Sequence, residues 1–199
     1  MRKGDDTHQA ILDRATSLAS TLGLEGLTIG ALASELDLSK SGLFAHFRSK
    51  EALQIQVLEH GAAQFVERVV RPSLAEPRGE PRMRALFERW LGWVRSSAMP
   101  GGCLFVQAST EFDDQPGPVR DRLADFQRQW RDVIATSFRK GIEAGAFRPD
   151  ADPDQLAFEV SGVLLAYHHM SRLLQDPNAE SRARTAFEAV LASARVSTP

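Results

Sequence analysis

The sequence predicts an all-α fold of about nine helices: an N-terminal helix-turn-helix domain of three helices, then a larger helical body. Apolar residues recur at three- and four-residue spacing through nearly the whole chain, the period of an amphipathic helix. Alternating apolar and polar runs and Asn-Gly hairpin signals are absent from it, so the usual marks of strands are missing. Capping residues, glycines and prolines fall between the periodic segments, where helices start and stop.

The first helix spans about 7–22, with Ile11, Ala15, Leu18 and Leu22 on one stripe and Asp6 or Thr7 as its cap. Gly23 and Gly26 break the chain. Thr28 caps a second helix striped by Ile29, Leu32, Ala33 and Leu36, and Asp37-Leu38 makes a tight turn. Ser39 caps a short third helix ending near Phe47. Ser49 caps a fourth, with Glu51 at its positive N-terminus, and Pro72 is expected to stop it near Arg71. Three prolines and a glycine between Arg71 and Pro81 mark a hinge or boundary. The fifth helix, about 81–97, carries Leu86, Trp90, Trp93 and Val94; the sixth, about 103–111, follows "MPGGC". Pro118 suits the first turn of a seventh helix, about 118–144, striped by Val119, Leu123, Phe126, Trp130, Val133 and Phe138. Asp152-Pro153-Asp154-Gln155 opens an eighth, about 153–174, and Asp176-Pro177 a ninth, to about Ala194.

Composition is that of an ordinary globular chain: 199 residues, 43% hydrophobic and 25% charged, with net charge −2. That balance neither demands nor excludes a polyanionic partner. The longest apolar runs are too short to span a bilayer and the N-terminus lacks a signal-peptide core, so no membrane association and a cytoplasmic location are expected. A single cysteine, Cys103, excludes an internal disulfide and suits a reducing compartment. Without CxxC pairs a structural zinc site is not expected, nor any other metal or cofactor. Residues 1–50 balance six Lys/Arg against six Asp/Glu, yet Leu38–Lys50 holds Lys40, Arg48 and Lys50 and no acid, and Arg2 and Lys3 add a short basic tail. A small basic spot on a neutral domain is by itself a weak nucleic-acid signal.

Residues 28–46 form two short helices joined by a tight turn, a helix-turn-helix candidate. The first would brace the second through Ile29, Leu32 and Ala33, while Leu38, Leu43 and Phe47 turn inward. The outer face of the second is then Ser39, Lys40, Ser41, Phe44 and Ala45, small and polar enough for close approach to a major groove. Thr28, Ser39 and Ser49 sit at helix N-termini, which suit phosphate oxygens. Lys50 opposes the dipole of the fourth helix, an arrangement that makes sense if it faces an anion.

The stretch "AILDRATSLASTLGLEGLTIGALASELDLSKSGLFAHFRSKEAL" resembles the DNA-binding domain of TetR-type (TetR/AcrR) transcriptional regulators. The shared features are the Ile-Leu pair with Ala in helix one, Gly before a Thr-led helix two, Leu-Ser-Lys-Ser-Gly-Leu, and the aromatic-x-His-Phe-x-Ser-Lys-Glu-x-Leu run. The match covers about residues 8–58 and is highly specific as a joint pattern; the rest agrees in length and helix count. The resemblance implies that Thr28, Lys40, Phe44, His46 and Lys50 hold phosphates or the groove wall, and that Ser39, Ser41 and Gly42 lie at the groove. Two residues depart from the family's commonest pattern. Phe44 replaces a usual Tyr, which removes a phenol contact, and Asp37 replaces a usual Gly in a turn whose left-handed angles Asp tolerates. The implied organisation is a DNA-binding domain over 1–50, a connecting fourth helix over about 49–71, and an effector-binding and dimerisation domain over 51–199.

The terminal helix pair is apolar on more than one face. Leu156, Val160, Val163 and Tyr167 lie on one side of helix eight, and Phe158, Gly162, Leu165 and Leu173 on another; helix nine is rich in alanine. A thick monomer core and a symmetric four-helix subunit interface over about 153–194 both fit this pattern. Trp90, Trp93, Phe105, Phe126, Trp130, Tyr167 and Met170 are candidates to line an apolar effector cavity, and each also serves as ordinary core. Cys103 sits at the expected start of helix six, where a helix N-terminus favours the thiolate. The resemblance adds that some TetR-type regulators carry a sensing cysteine near this region; the competing reading is an inert core residue. His46 reads either as a DNA contact or as packing, and adjacent His168 and His169 point apart on a helix. Asp37, His46 and Ser39 or Ser41 do not make a catalytic triad without an oxyanion loop. The expected function is a homodimeric, ligand-released repressor of double-stranded operator DNA, not an enzyme, answering to a small molecule that the sequence does not name. A helical enzyme using the aromatic cavity and an architectural DNA binder without effector are the alternatives.

Overall fold

The structure, a computed structural model, describes the backbone of residues 3–196 and the side chains of residues 7–196. Arg2 and the side chains of Lys3 and Asp6, named above as basic tail and cap, lie outside the described residues. Among the described residues the regular elements are helices, joined by turns and loops: α1 (Lys3–Leu22), α2 (Ile29–Leu36), α3 (Lys40–Phe47), α4 (Lys50–Phe65), α5 (Arg71–Leu74), α6 (Glu80–Val94), α7 (Leu104–Phe112), α8 (Pro118–Glu143), α9 (Pro153–Arg172) and α10 (Ala179–Ala194). Among those residues no helix is long and apolar enough to cross a membrane.

Local chemistry sets most boundaries. Thr28 accepts the Ala31 N–H at 3.0 Å, Ser39 that of Gly42 at 3.1 Å and Ser49 that of Ala52 at 3.0 Å, so each satisfies an orphan donor of the helix it starts. Asp152 accepts from both Asp154 and Gln155, with Pro153 in the first turn of α9. Asp37 takes left-handed angles, φ 52° and ψ 42°, as the turn requires. Four expectations fail. The first helix begins earlier, at Lys3, and α10 begins only at Ala179, because Asp176 accepts the Asn178 N–H in a turn instead of capping a helix. Pro72 does not stop the fourth helix near Arg71: α4 passes through a wide π turn, Val66–Val70, straight into α5. Pro72 falls in the first turn of α5, immediately past the wide turn, and Ser73 donates to the Val69 carbonyl at 2.7 Å. Counted as one, this run occupies the place of the expected fourth helix, so the eighth and ninth helices of the sequence are α9 and α10. Leu38 does not turn inward: it stands outside the Ser39 cap, 46% exposed.

Packing divides the chain into two compact units, residues 1–65 with 93–126, and residues 66–92 with 127–199. In the first, Ile11, Leu12, Ala15 and Ala19 of α1 meet a core of Leu24, Leu27, Leu32, Leu43, Phe47, Leu53, Val57 and Leu58. A Cβ at Gly61 of α4 would lie 3.4–3.6 Å from Leu104, Thr16 and Phe105, so α1 and α7 both close on α4 there. The backbone before α7 also presses on α1, since the Gly101 amide donates to the Ser20 hydroxyl at 3.1 Å. In the second unit Phe87 of α6 stacks on Phe187 of α10 at 4.2 Å, and Phe138 of α8 meets Phe147 at 5.3 Å. Arg84–Glu188, Arg184–Glu88 and Arg195–Glu80 ion pairs lie along the α6–α10 seam. The Arg195 guanidinium, with Arg84, holds the Glu80 carboxyl down to about 2.

Two glycines test this packing. A Cβ at Gly101 would fall 1.4 Å from the Ser20 carbonyl oxygen, whereas one at Gly92, inside α6, meets nothing within 4 Å. Gly101→Ala is expected to destabilise by about 1–3 kcal/mol or more through overpacking. Gly92→Ala is expected to stabilise by about 0.5–1 kcal/mol through helix propensity. Thermal melts read both, at roughly 2–4 °C per kcal/mol for a chain of this length.

Candidate nucleic-acid interface

The helix-turn-helix of α2 and α3 is built as the spacing requires. Leu32, Ala33, Leu43 and Phe47 are at most 3% exposed and hold the two helices together. The opposite face of α3 carries Lys40, Ser41, Gly42, Phe44, Ala45 and His46, all exposed. Phe44 offers an apolar ring there, 56% exposed. A Cβ at Gly42 would lie 3.1 Å from the Ser39 hydroxyl, itself 3.3 Å from that of Ser41. Three small residues therefore keep the first turn of α3 low, around an exposed helix N-terminus capped by Ser39.

Two of the candidate phosphate residues meet at the start of α2. A Cβ at Gly30 would lie 3.5 Å from Lys40 Cε, 3.8 Å from its Nζ and 3.8 Å from Thr28 Oγ1. An ammonium, a hydroxyl and a helix N-terminus so gathered suit a phosphate oxygen. His46 is drawn toward α1: its ring centroid lies 5.5 Å from that of His8 and 6.2 Å from that of Phe47. His8 in turn sits 3.1 Å from the Gln56 side chain of α4. Packing and surface presentation thus coexist in this one imidazole.

Lys50 has an anion nearer than any ligand. Its ammonium donates to Glu25 Oε1 at 2.6 Å, and Gln54 donates to the Leu24 carbonyl at 2.9 Å in the same corner. The hydrogen bond from Lys50 holds the Glu25 carboxyl below its usual range. The Glu25 backbone N–H donates to the Glu111 carboxylate of α7 at 2.9 Å. Sequence spacing did not bring out Glu25 or Glu111, since both act across distant elements. Arg48 was also missed as a structural residue: at φ 61° it closes α3, its N–H donating to the Phe44 carbonyl at 2.8 Å.

The six aromatic residues among the effector candidates divide between the units. Trp93, Phe105 and Phe126 belong to the first and Trp90, Trp130 and Tyr167 to the second. In the first, Phe65 meets Trp93 edge-on at 5.6 Å and Phe105 at 6.3 Å, Phe105 meets Phe126 at 6.0 Å, and the Arg122 guanidinium covers Phe126 at 4.4 Å. In the second, Trp90 meets Tyr167 edge-on at 6.2 Å. Cys103 is the N-cap residue of α7 and is 2% exposed. Burial pushes its thiol up, against the lowering expected from a helix N-terminus, although the backbone N–H groups of Val106 and Phe105 oppose the rise. The Trp93 indole N–H favours the charged thiol too, yet it makes no hydrogen bond of ordinary geometry among the described residues.

Two family models match the chain: "Bacterial regulatory proteins, tetR family" over residues 11–57, and "Tetracyclin repressor-like, C-terminal domain" over residues 79–187. The chain belongs to the tetR family. This tetR-family chain is a DNA-binding transcriptional regulator, and the first match covers both helices of the helix-turn-helix. It is 26% identical over 149 residues to the HTH-type transcriptional repressor DhaR of Mycobacterium sp. (strain GP1), covering 75% of this chain and 74% of that one. It is 25% identical over 139 residues to the HTH-type transcriptional repressor NemR of Escherichia coli (strain K12), covering 69% and 70%. Its fold is similar to that of a TetR transcriptional regulator from Chloroflexus aurantiacus J-10-FL, with TM-score 0.85, 25% identity, and 99% and 100% of the two chains covered.

Burial decides how Cys103 behaves. In the native protein it is expected to resist a water-soluble disulfide reagent near neutral pH and to react once urea unfolds the chain. Native modification as fast as that of the unfolded chain would place the thiol at the surface.

Proposed function

We propose that the chain is a homodimeric repressor whose two α3 helices enter successive major grooves of double-stranded operator DNA, and that a small-molecule effector releases it. The observation that carries the reading is the exposed, small and polar face of α3 standing on two fully buried anchors, Leu43 and Phe47. Thr28, Lys40, Phe44, His46 and Lys50 would contact phosphate or the groove wall, and Ser39, Ser41 and Gly42 the groove floor. The repressor sense is supported by the two curated relatives, both named as transcriptional repressors. The family supports a regulator in place of an enzyme, and a cytoplasmic location follows from that role.

For dimerisation, α9 supplies a stripe that its own unit leaves bare. Phe158, Leu165 and Leu173 are 69%, 49% and 70% exposed, at spacings of seven and eight residues on one face with Gly162, Ala166 and His169. The neighbouring outer face of α10 is small, with exposed Ala186, Ala189, Ala192 and Ser193. Large apolar side chains beside small ones suit a two-fold four-helix contact with a second copy. For the effector, the ring group of Trp93, Phe105 and Phe126 supports an apolar ligand, and an acceptor on it would satisfy the buried Trp93 N–H. We assign Cys103 to the packing of that group, with any reaction at its sulfur waiting on local opening.

Two experiments test the reading. Selection from a random duplex pool should recover a palindromic site with half-sites about one helical turn apart, roughly 34–36 Å. Lys40→Ala should then weaken binding evenly across sequences and flatten the dependence of log K on log salt by about one. Binding without sequence preference would sink the repressor reading in favour of an architectural one. Separately, Phe158→Asp with Leu165→Asp should turn a dimer into a folded monomer in light scattering and abolish binding to the palindrome; a persistent dimer would remove α9 from the interface.

A further inference from the structure

We infer that Glu25 competes with DNA phosphate for Lys50, so that this loop carboxylate sets operator affinity and its salt dependence, and that Glu111 of α7 holds Glu25 where it can do so. The inference rests on the reading of Lys50 as a phosphate contact. Lys50 stands at the N-terminus of α4, where the helix dipole disfavours a cation. The structure supplies the missing anion internally: Glu25 Oε1 is 2.6 Å from the ammonium. The second oxygen, Oε2, lies 3.4 Å from the Gln54 amide, which is anchored on the Leu24 carbonyl at 2.9 Å. Lys50 and Glu25 side chains are 39% and 50% exposed, so the pair lies in reach of an approaching polyanion.

Glu25 is not a loosely placed surface acid. Its N–H donates to Glu111 Oε2 at 2.9 Å. The same carboxylate presses on Gly23, where a Cβ would fall 1.8 Å from Glu111 Oε1 and where φ is +79°. The positive φ favours glycine at that point, and any larger residue would also push the Glu111 carboxylate from its place. The loop between α1 and α2 is thus gripped by the C-terminal turn of α7, whose other end bears Phe105 of the ring group. A phosphate oxygen that takes Lys50 must leave Glu25 facing DNA without its cation, or share the ammonium with it. Either way the internal acid offsets part of the attraction, and part of the counterion release, that a bare lysine would bring.

The test uses the full-length chain and a fluorescein-labelled duplex recovered by selection, titrated at several salt concentrations. The proteins are wild type, Glu25→Gln, Lys50→Ala, the double variant, Glu111→Ala, and Glu111→Ala with Lys50→Ala; thermal melts show which remain folded. Lys50→Ala should weaken binding. Glu25→Gln should tighten it about fivefold, which corresponds to ~1 kcal/mol, and steepen the salt slope by up to about one. Both effects should vanish in the Lys50→Ala background. Glu111→Ala should move affinity in the same direction as Glu25→Gln, again only while Lys50 is present. If Lys50→Ala changes neither affinity nor slope, the phosphate reading of Lys50 falls. If Lys50→Ala weakens binding but Glu25→Gln leaves it unchanged or weaker, the competition falls and the phosphate reading stands. Equal tightening by Glu25→Gln with and without Lys50 would mean general repulsion of DNA, which also overturns the competition. Glu25→Gln tightening beside a silent Glu111→Ala would overturn the anchoring role alone.

Discussion

The close approach of chain to the small-residue face of α1, where Ala15, Ala19 and Ser20 are fully buried, is the constraint on which the first unit depends. Alanine and serine leave room for neighbouring backbone. The segment around Gly101 uses that room, donating its amide to the Ser20 hydroxyl with no space for even one methyl group. One turn further up α1, Thr16 bonds its own backbone at Leu12 and meets α4 at the gap that Gly61 leaves. Close packing of this kind has no slack. The residues proposed to read DNA, on α2 and α3, and residues of the ring group, around α7, are consequently registered against one helix.

The reading face depends in turn on what stands behind it. Leu43 and Phe47 fill the interior, while Thr28, Ser39 and Ser49 close the helix starts. With three successive helices capped by hydroxyls, the surface keeps its N–H groups ordered without adding bulk. Asp37 fits the same logic. It holds a left-handed turn that glycine would hold with more entropy lost on folding.

What could be read from the sequence was what neighbours in the chain decide. Caps, glycine breaks and the apolar periods of α2, α3, α8 and α9 follow from interactions within four residues, and the observed bounds agree to within a few residues. The helix-turn-helix face was legible for the same reason. Pro72 was misjudged because a proline is a stop signal only if the turn before it is an α turn; the π turn at Val66–Val70 supplies another solution. The Lys50–Glu25 pair joins residues 25 apart, and the Glu25–Glu111 bond joins residues 86 apart, distances at which composition carries no signal. The six candidate rings looked like one set because periodicity records which residues turn inward, and it is silent on which core each one enters.

The proposed competition at the Lys50–Glu25 pair would carry a physiological consequence. A dissolved counterion is diluted or concentrated whenever a cell takes up or loses water, and a protein that relies on expelling such ions has an affinity that swings with osmotic conditions. A carboxylate fixed to the chain keeps a constant local concentration. If Lys50 takes a DNA phosphate as proposed, a lysine screened in that manner would make DNA occupancy weaker at rest but steadier through an osmotic shift, a built-in buffer against changes in salt.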